Sequence, residues 1–174
     1  LAAREVWKPR RPERVADPIP PRAWRSATQQ RAALKRNRHS MRIGIPRVFN
    51  MYAYAPLFSA YLESLGVPAQ HIVYSDFTTT EMYHEGTGRG AIDPCFPSKV
   101  ALAHVHNLLE VKHRRQPLDA IFFPMIDVLP MRFVNAQGSS ACPTVALTPQ
   151  TVRASFTKNA DAFAERGIQY LYPL

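Results

Sequence analysis

The stretch Ala120-Ile121-Phe122-Phe123 decides the fold of this chain of 174 residues. Its four consecutive apolar residues end at Pro124, which has no N–H group to donate to a sheet and therefore stops a strand. A short run that is apolar at every position is typical of a strand buried on both faces. We therefore expect a parallel sheet that is covered by helices on both sides.

Shorter apolar runs and helical periodicities alternate on either side of this strand. The predicted strands are residues 42–46, 71–74, 120–123 and 144–147, and residues 168–171 begin a further one. The predicted helices are residues 54–65, 78–85, 98–112 and 150–166. Strands that alternate with helices indicate the α/β class. We predict a three-layer lobe with a mostly parallel sheet of about four strands flanked by helices.

The ends of these helices follow from capping residues and apolar spacing. In residues 54–65 one face carries five apolar side chains, which we expect to be buried: Leu57, Phe58, Tyr61, Leu62 and Leu65. Thr78-Thr79-Thr80-Glu81 has the spacing of a capping box, and Gly86 is predicted to end the helix that follows. Thr148 is predicted to cap the last helix and Pro149 to start it, with Gly167 at its end.

Residues 1–40 differ from the rest of the chain. They hold eleven lysines and arginines against three acidic residues, so almost all of the formal net charge of +9 belongs to them. Five prolines forbid a long helix before residue 22, although residues 22–35 can form a short polar one. Both tryptophans, Trp7 and Trp24, lie here. We expect residues 1–40 to be a basic, Pro-rich linker or docking arm and residues 41–174 to be the domain.

Composition excludes several classes of function. No run of 18 apolar residues and no signal peptide occurs, and two cysteines do not make a disulfide framework. We therefore expect a protein of the reducing cytoplasm that does not bind membranes. The domain itself is nearly neutral, which argues against nucleic acid as its partner. Because the chain begins at Leu1 without an initiator methionine, we expect a fragment of a longer protein.

The candidate for chemistry is the stretch Asp93-Pro94-Cys95-Phe96-Pro97-Ser98-Lys99. Pro97 suits the first turn of a helix, which places Cys95 just before a helix N-terminus, where a thiolate is favoured. The second cysteine, Cys142, lies 47 positions further on and also stands beside proline. Three interpretations remain open for the two cysteines: metal ligands, a nucleophile paired with a histidine, or small side chains packed in the core.

Other polar residues give weaker signals. His104 and His106 are two positions apart, about 200° around a helix, so they cannot face the same partner and we expect both to be solvated. Arg47, Asn50 and Met125 each follow the end of a predicted strand, where ligands of parallel sheets are bound. No Walker loop and no dinucleotide fingerprint occurs in the sequence.

Several motifs in order resemble one protein family. They begin with Arg42-Ile43-Gly44-Ile45-Pro46-Arg47 and end with Ala141-Cys142-Pro143, and further matches are residues 48–52, 90–100, 104–109 and 121–126. Over about residues 41–174 the chain resembles the domain that follows the ATPase part of long acyl-CoA dehydratase activases. These are the activators of the 2-hydroxyacyl-CoA dehydratase and benzoyl-CoA reductase systems, and they are related to double-cubane cluster proteins.

This resemblance implies a fold in which cysteines from more than one α/β lobe hold [4Fe–4S] clusters. Cys95 and Cys142 stand where two such cofactor and metal ligands are expected, whereas Met125 replaces a cysteine that some relatives carry. No catalytic residue is implied. ATP would bind only to an adjacent domain.

The function implied is an electron-transfer lobe that passes ATP-driven, low-potential electrons toward an acyl-CoA dehydratase or a related reductive site. Its partners would be an upstream ATPase domain and a downstream dehydratase-like lobe of the same parent chain. The alternatives are a metal-free interaction lobe of the activase and a Cys-dependent acyl-transfer enzyme.

Overall fold

The computed structural model describes residues 26–88, 95–129 and 138–174. In these ranges five helices flank one sheet of four strands. The strands are β1 (Ile43–Ile45), β2 (Ile72–Tyr74), β3 (Ala120–Phe122) and β4 (Gln169–Leu171). The helices are α1 (Ala27–Arg38), α2 (Met51–Ser64), α3 (Thr80–Thr87), α4 (Phe96–Asn107) and α5 (Pro143–Thr157). Helix α4 continues through a π-helical segment, Leu108–Lys112, into a last turn, His113–Arg115.

All four strands are parallel and lie in the order β2-β1-β3-β4, which confirms the predicted α/β architecture. The chain moves from β1 to β2 in one direction and then to β3 and β4 in the other. Because such crossovers are right-handed, α2 covers one face of the sheet, and α4 and α5 cover the other. The chain therefore reverses direction between β1 and β3, and this is where parallel sheets bind ligands, at the carboxyl ends of the strands.

Strand β3 is the centre of the core, as its sequence predicts. Ala120, Ile121 and Phe122 are buried, and Phe122 meets Phe58 of α2 edge-on with ring centroids 5.4 Å apart. On the other face the strand is covered by buried residues of α4 and its π-helical continuation, namely Leu102, Val105, Leu108 and Leu109. The central strand is thus covered by apolar side chains on both faces.

The prediction of a strand at residues 144–147 is wrong, since these residues form the first turns of α5. Val145 flanked by Thr144 resembles a strand locally, but the buried side chains Ala146, Val152 and Phe156 recur at helical spacing, and Pro143 begins the helix. The fourth strand of the sheet is instead β4, which was predicted as a further strand.

Three other predictions about helix ends and faces are also corrected. Thr148 and Pro149 lie inside α5 and do not start it. Gly86 lies inside α3, where an added Cβ would come within 2.2 Å of the Ala103 Cα atom, so its missing side chain lets α3 touch α4. On α2, Leu62 is buried as expected, but Leu57 is 58% exposed and Tyr61 is 45% exposed.

Helix α1, which falls in the predicted arm, lies against the end of α2. The Arg38 guanidinium donates a hydrogen bond to the Leu65 carbonyl at 3.4 Å, and the Lys35 backbone abuts Gly66, whose φ of +106° only glycine adopts readily. Trp7 and Trp24 lie outside the described residues, so the boundary at residue 40 stays a prediction. Among the described helices, none has the length and apolar character needed to cross a membrane.

Candidate functional site

Both cysteines occupy N-cap positions of helices that cover the same face of the sheet. Cys95 caps α4, which leads into β3, and Cys142 caps α5, which follows β3. In a parallel sheet such helices run opposite to the strands, so both begin at the carboxyl edge. The predicted place of Cys95 before a helix is confirmed. The matching place of Cys142 is not predicted, because Thr144-Val145-Ala146-Leu147 favours a strand in the sequence.

A hydrogen bond joins α4 and α5, the two helices that begin at the cysteines. The hydroxyls of Ser98 and Thr148, both buried, are 3.1 Å apart. Cys95 lies three residues before Ser98 and Cys142 six residues before Thr148, which at the helical rise are about 4.5 Å and about 9 Å along the helices. From the usual spacing of packed helices we expect their Cα atoms to lie about 10 Å apart. Both helix starts, and with them both cysteines, lie at the carboxyl edge of the sheet.

The surroundings of the cysteines are those of a surface and not of a core. Cys95 is half-buried and Cys142 is exposed, and neither forms a disulfide. Phe96, which follows Cys95 directly, is 62% exposed, and Leu147 in the second turn of α5 is 53% exposed. The core-packing interpretation does not fit Cys142.

The first turn of α5 favours the charged form of Cys142. The backbone N–H groups of Val145 and Thr144, followed by the Thr144 hydroxyl, lower the pKa of this thiol from its ordinary value. Amide N–H groups at a helix start have no partner within the helix and favour an anion there. Cys142 is held in place by the loop before it, in which Val128 and Ser140 form an antiparallel bridge.

A small cleft lies beside this helix start, between the exits of β1 and β3. Its volume is about 10 Å³, and it is lined by Phe49, Asn50, Met51, Phe123, Pro124, Ile126 and Val145. Space of this size holds about one water molecule, so a larger ligand would have to bind on the rim outside it. Asn50 is thus at the switch point, as predicted. Phe49 adopts a φ of +48°, a left-handed conformation that is uncommon for a bulky residue.

His104 is not solvated, contrary to the prediction, but fully buried. Its Nδ1 atom is 2.7 Å from the Ser75 hydroxyl and its Nε2 atom 2.9 Å from the Thr78 hydroxyl. Burial, helped by the nearby charge of Arg47, lowers the pKa of His104 to about 4, so the ring is neutral near pH 7. Both ring nitrogens are occupied, so this histidine does not serve Cys95 as a base.

The described residues do not contain a complete metal site. Within residues 26–88, 95–129 and 138–174 no group of three or more His, Cys, Asp and Glu side chains could hold a metal ion. Met125 follows β3, as predicted, and its backbone N–H donates to the Pro173 carbonyl at 2.8 Å. Asp93 lies outside the described residues. The described part of the rim therefore provides two thiols as candidate ligands.

Comparison with known proteins places the domain in a family. Neither the curated proteins nor the solved structures contain a match to this chain. Residues 42–174 match the family described as "CoA enzyme activase uncharacterised domain (DUF2229)". This range includes every strand of the sheet and both cysteines, and it agrees with the resemblance seen in the sequence. The chain therefore belongs to the CoA enzyme activase domain family.

Proposed function

We propose that this domain is the part of a CoA enzyme activase that contributes two thiolates, Cys95 and Cys142, to a [4Fe–4S] cluster. The observation that supports this most is that both cysteines cap helices at one rim of the sheet. Two ligands are half of what such a cluster needs. The other thiolates would come from a neighbouring lobe or a partner protein that covers the rim.

The donor chemistry of the rim fits this group. Soft thiolates are the ligands that iron–sulfur clusters select, and Cys142 already has its pKa lowered by amide N–H groups. The thioether of Met125 is a poor ligand beside thiolates, and we assign it no role in binding.

In this proposal each group near the cysteines has a role. The cluster, when bound, would take up and release one electron at a time. The N–H groups of Thr144 and Val145, which lower the pKa of Cys142, would stabilise negative charge there and so raise the cluster's reduction potential. The exposed side chains of Phe96 and Leu147 would be covered by the lobe that completes the site, which would also keep water away.

The family match supports a proposal for the direction of electron transfer. An ATPase domain adjacent in the parent chain would bind ATP and drive the electron to low potential, and an acyl-CoA dehydratase or related reductive enzyme would receive it. The domain described above would then be a relay and not the place where the CoA ester reacts.

The test is to purify the full-length parent protein under anaerobic conditions and to measure iron and acid-labile sulfide. We expect Cys95→Ser and Cys142→Ser each to lower the iron content and to change the electron paramagnetic resonance signal of the reduced protein. Met125→Leu is the matched control and should leave both unchanged. Iron content that is the same in all three variants would rule out this assignment.

A metal-free interaction lobe is the second candidate, and one observation favours it. The described residues contain no group of three or more side chains that could hold a metal ion, while Phe96, beside Cys95, and Leu147 of α5 are exposed. In this case the Cys95→Ser, Cys142→Ser double variant would still bind its partner with unchanged affinity, whereas Phe96→Ser would weaken binding. The double variant and the single apolar variant thus separate the two candidates.

A further inference from the structure

Arg47 lies at the carboxyl edge of the sheet, two residues after β1. Its backbone N–H donates to the Ser75 hydroxyl at 2.8 Å, which ties it to the buried network of His104. Its guanidinium carbon is 4.2 Å from the ring centroid of Phe77 and 5.5 Å from that of Tyr74. Two aromatic rings therefore hold this cation in a fixed place.

The guanidinium lacks a counter-charge among the residues that the structure describes. Its Nε atom is buried without a hydrogen-bond partner, and the ion pairs of the described ranges do not include Arg47. A buried donor without a partner costs free energy, more so on a charged group. Because the ion pairs of the described residues leave Arg47 out, its positive charge at this ligand-binding edge has no acidic partner among them.

The neighbouring titratable groups do not neutralise Arg47. Asp76, in the same loop as Phe77, is paired with Lys112 and accepts a hydrogen bond from Asn107 at 3.1 Å. His104 is buried and hydrogen-bonded at both nitrogens. The positive charge is thus available to an incoming anion.

We propose that Arg47 binds the oxyanion, a phosphate or a carboxylate, of a soluble small molecule whose flat ring stacks on Phe77. The guanidinium fork matches both groups in geometry, and Phe77 is 66% exposed, so its ring offers an open apolar surface next to the charge. This site does not involve Cys95 or Cys142 and stands independently of the proposed cluster.

The test is a titration of the chain with four probes, followed by the Arg47 side-chain N–H resonance in nuclear magnetic resonance spectra and by calorimetry. The probes are inorganic phosphate, AMP, acetate and benzoate. We expect AMP or benzoate to bind saturably and more tightly than its counterpart without a ring, and which of the two binds tells a phosphate ligand from a carboxylate ligand. Arg47→Gln should weaken binding by about tenfold or more, because a charge-assisted hydrogen bond is lost.

Three controls make the result decisive. Phe77→Leu should remove the advantage of the ring-bearing probe while the ringless anion binds as before. Arg153→Gln alters another arginine that stacks on an aromatic ring, Tyr172, and should leave binding unchanged. If Arg47→Gln does not fold, Arg47→Lys should still weaken binding, since lysine keeps the charge but not the fork. Absence of saturable binding by both ring-bearing probes, or an equal loss in Arg153→Gln, would overturn the proposal.

Discussion

Single residues at the ends of strands and helices set most of the chemistry of this domain. Cys95 and Cys142 occupy N-cap positions that serine, threonine, asparagine or aspartate usually fill. A thiol is a weaker acceptor than those side chains, so its presence at both caps does little for helix stability. Helix capping therefore does not account for the two cysteines, and the proposed ligand role is one that a thiolate at these positions can fill.

His104 gives the domain a defined response to acid. Its pKa is about 4 in the folded protein and about 6.5 in an unfolded chain. Between these values the unfolded state binds more protons, so the free energy of unfolding should fall as the pH drops from about 6.5 to about 4. The loss from this group should be on the order of 3 kcal/mol.

Urea unfolding at a series of pH values measures this effect. The His104→Gln variant cannot titrate at this position, and its stability should depend less on pH over the same interval. His39→Gln, which alters an exposed histidine after α1, is the matched control and should keep the pH dependence of the wild type. The interpretation fails if wild type and His104→Gln give parallel curves.

At the scale of elements, the contact between α3 and α4 depends on one glycine. Gly86→Ala would place a Cβ 2.2 Å from the Ala103 Cα atom, and backbone cannot move aside as a flexible side chain can. We expect this variant to lose about 3 kcal/mol of stability, as overpacked cores do. Thermal and urea unfolding would measure the loss.

The matched control lies two residues away. Gly88 follows α3, and no atom of the described residues lies within 4 Å of an added Cβ. Gly88→Ala should therefore change stability by less than about 0.5 kcal/mol. Equal effects of the two substitutions would mean that α3 does not pack on α4 through Gly86.

The helices and strands differ in how well the sequence predicts them. Because Ala120-Ile121-Phe122-Phe123 is apolar at every position, the run by itself predicts a strand buried on both faces, and with it the parallel sheet. The start of α5 is harder to predict, because Thr144 and Val145 favour strands locally, although Pro143 and the helical spacing of the apolar residues that follow indicate a helix.

The candidate site was predicted to a similar extent. Pro97 predicts that a helix starts close to Cys95. The burial of His104, in contrast, depends on Ser75 and Thr78, which lie nearly thirty positions earlier in the chain. Likewise, the stacking of Arg47 on Phe77 joins two loops that are adjacent only because β1 and β2 pair. Contacts between distant segments leave no periodic signal in the sequence.

At the scale of the whole molecule, we expect the two cysteines to lie at one rim although 47 positions separate them in the sequence. They are the only cysteines in the chain, so nitroxide spin labels can be attached to both without other substitutions. The measurement is the electron paramagnetic resonance spectrum of the doubly labelled chain in frozen solution. At the expected Cα separation of about 10 Å, the spectrum should show clear dipolar broadening relative to the sum of the spectra from the Cys95→Ser and Cys142→Ser variants, each labelled once. A spectrum equal to that sum would contradict the shared rim and with it the proposed cluster site.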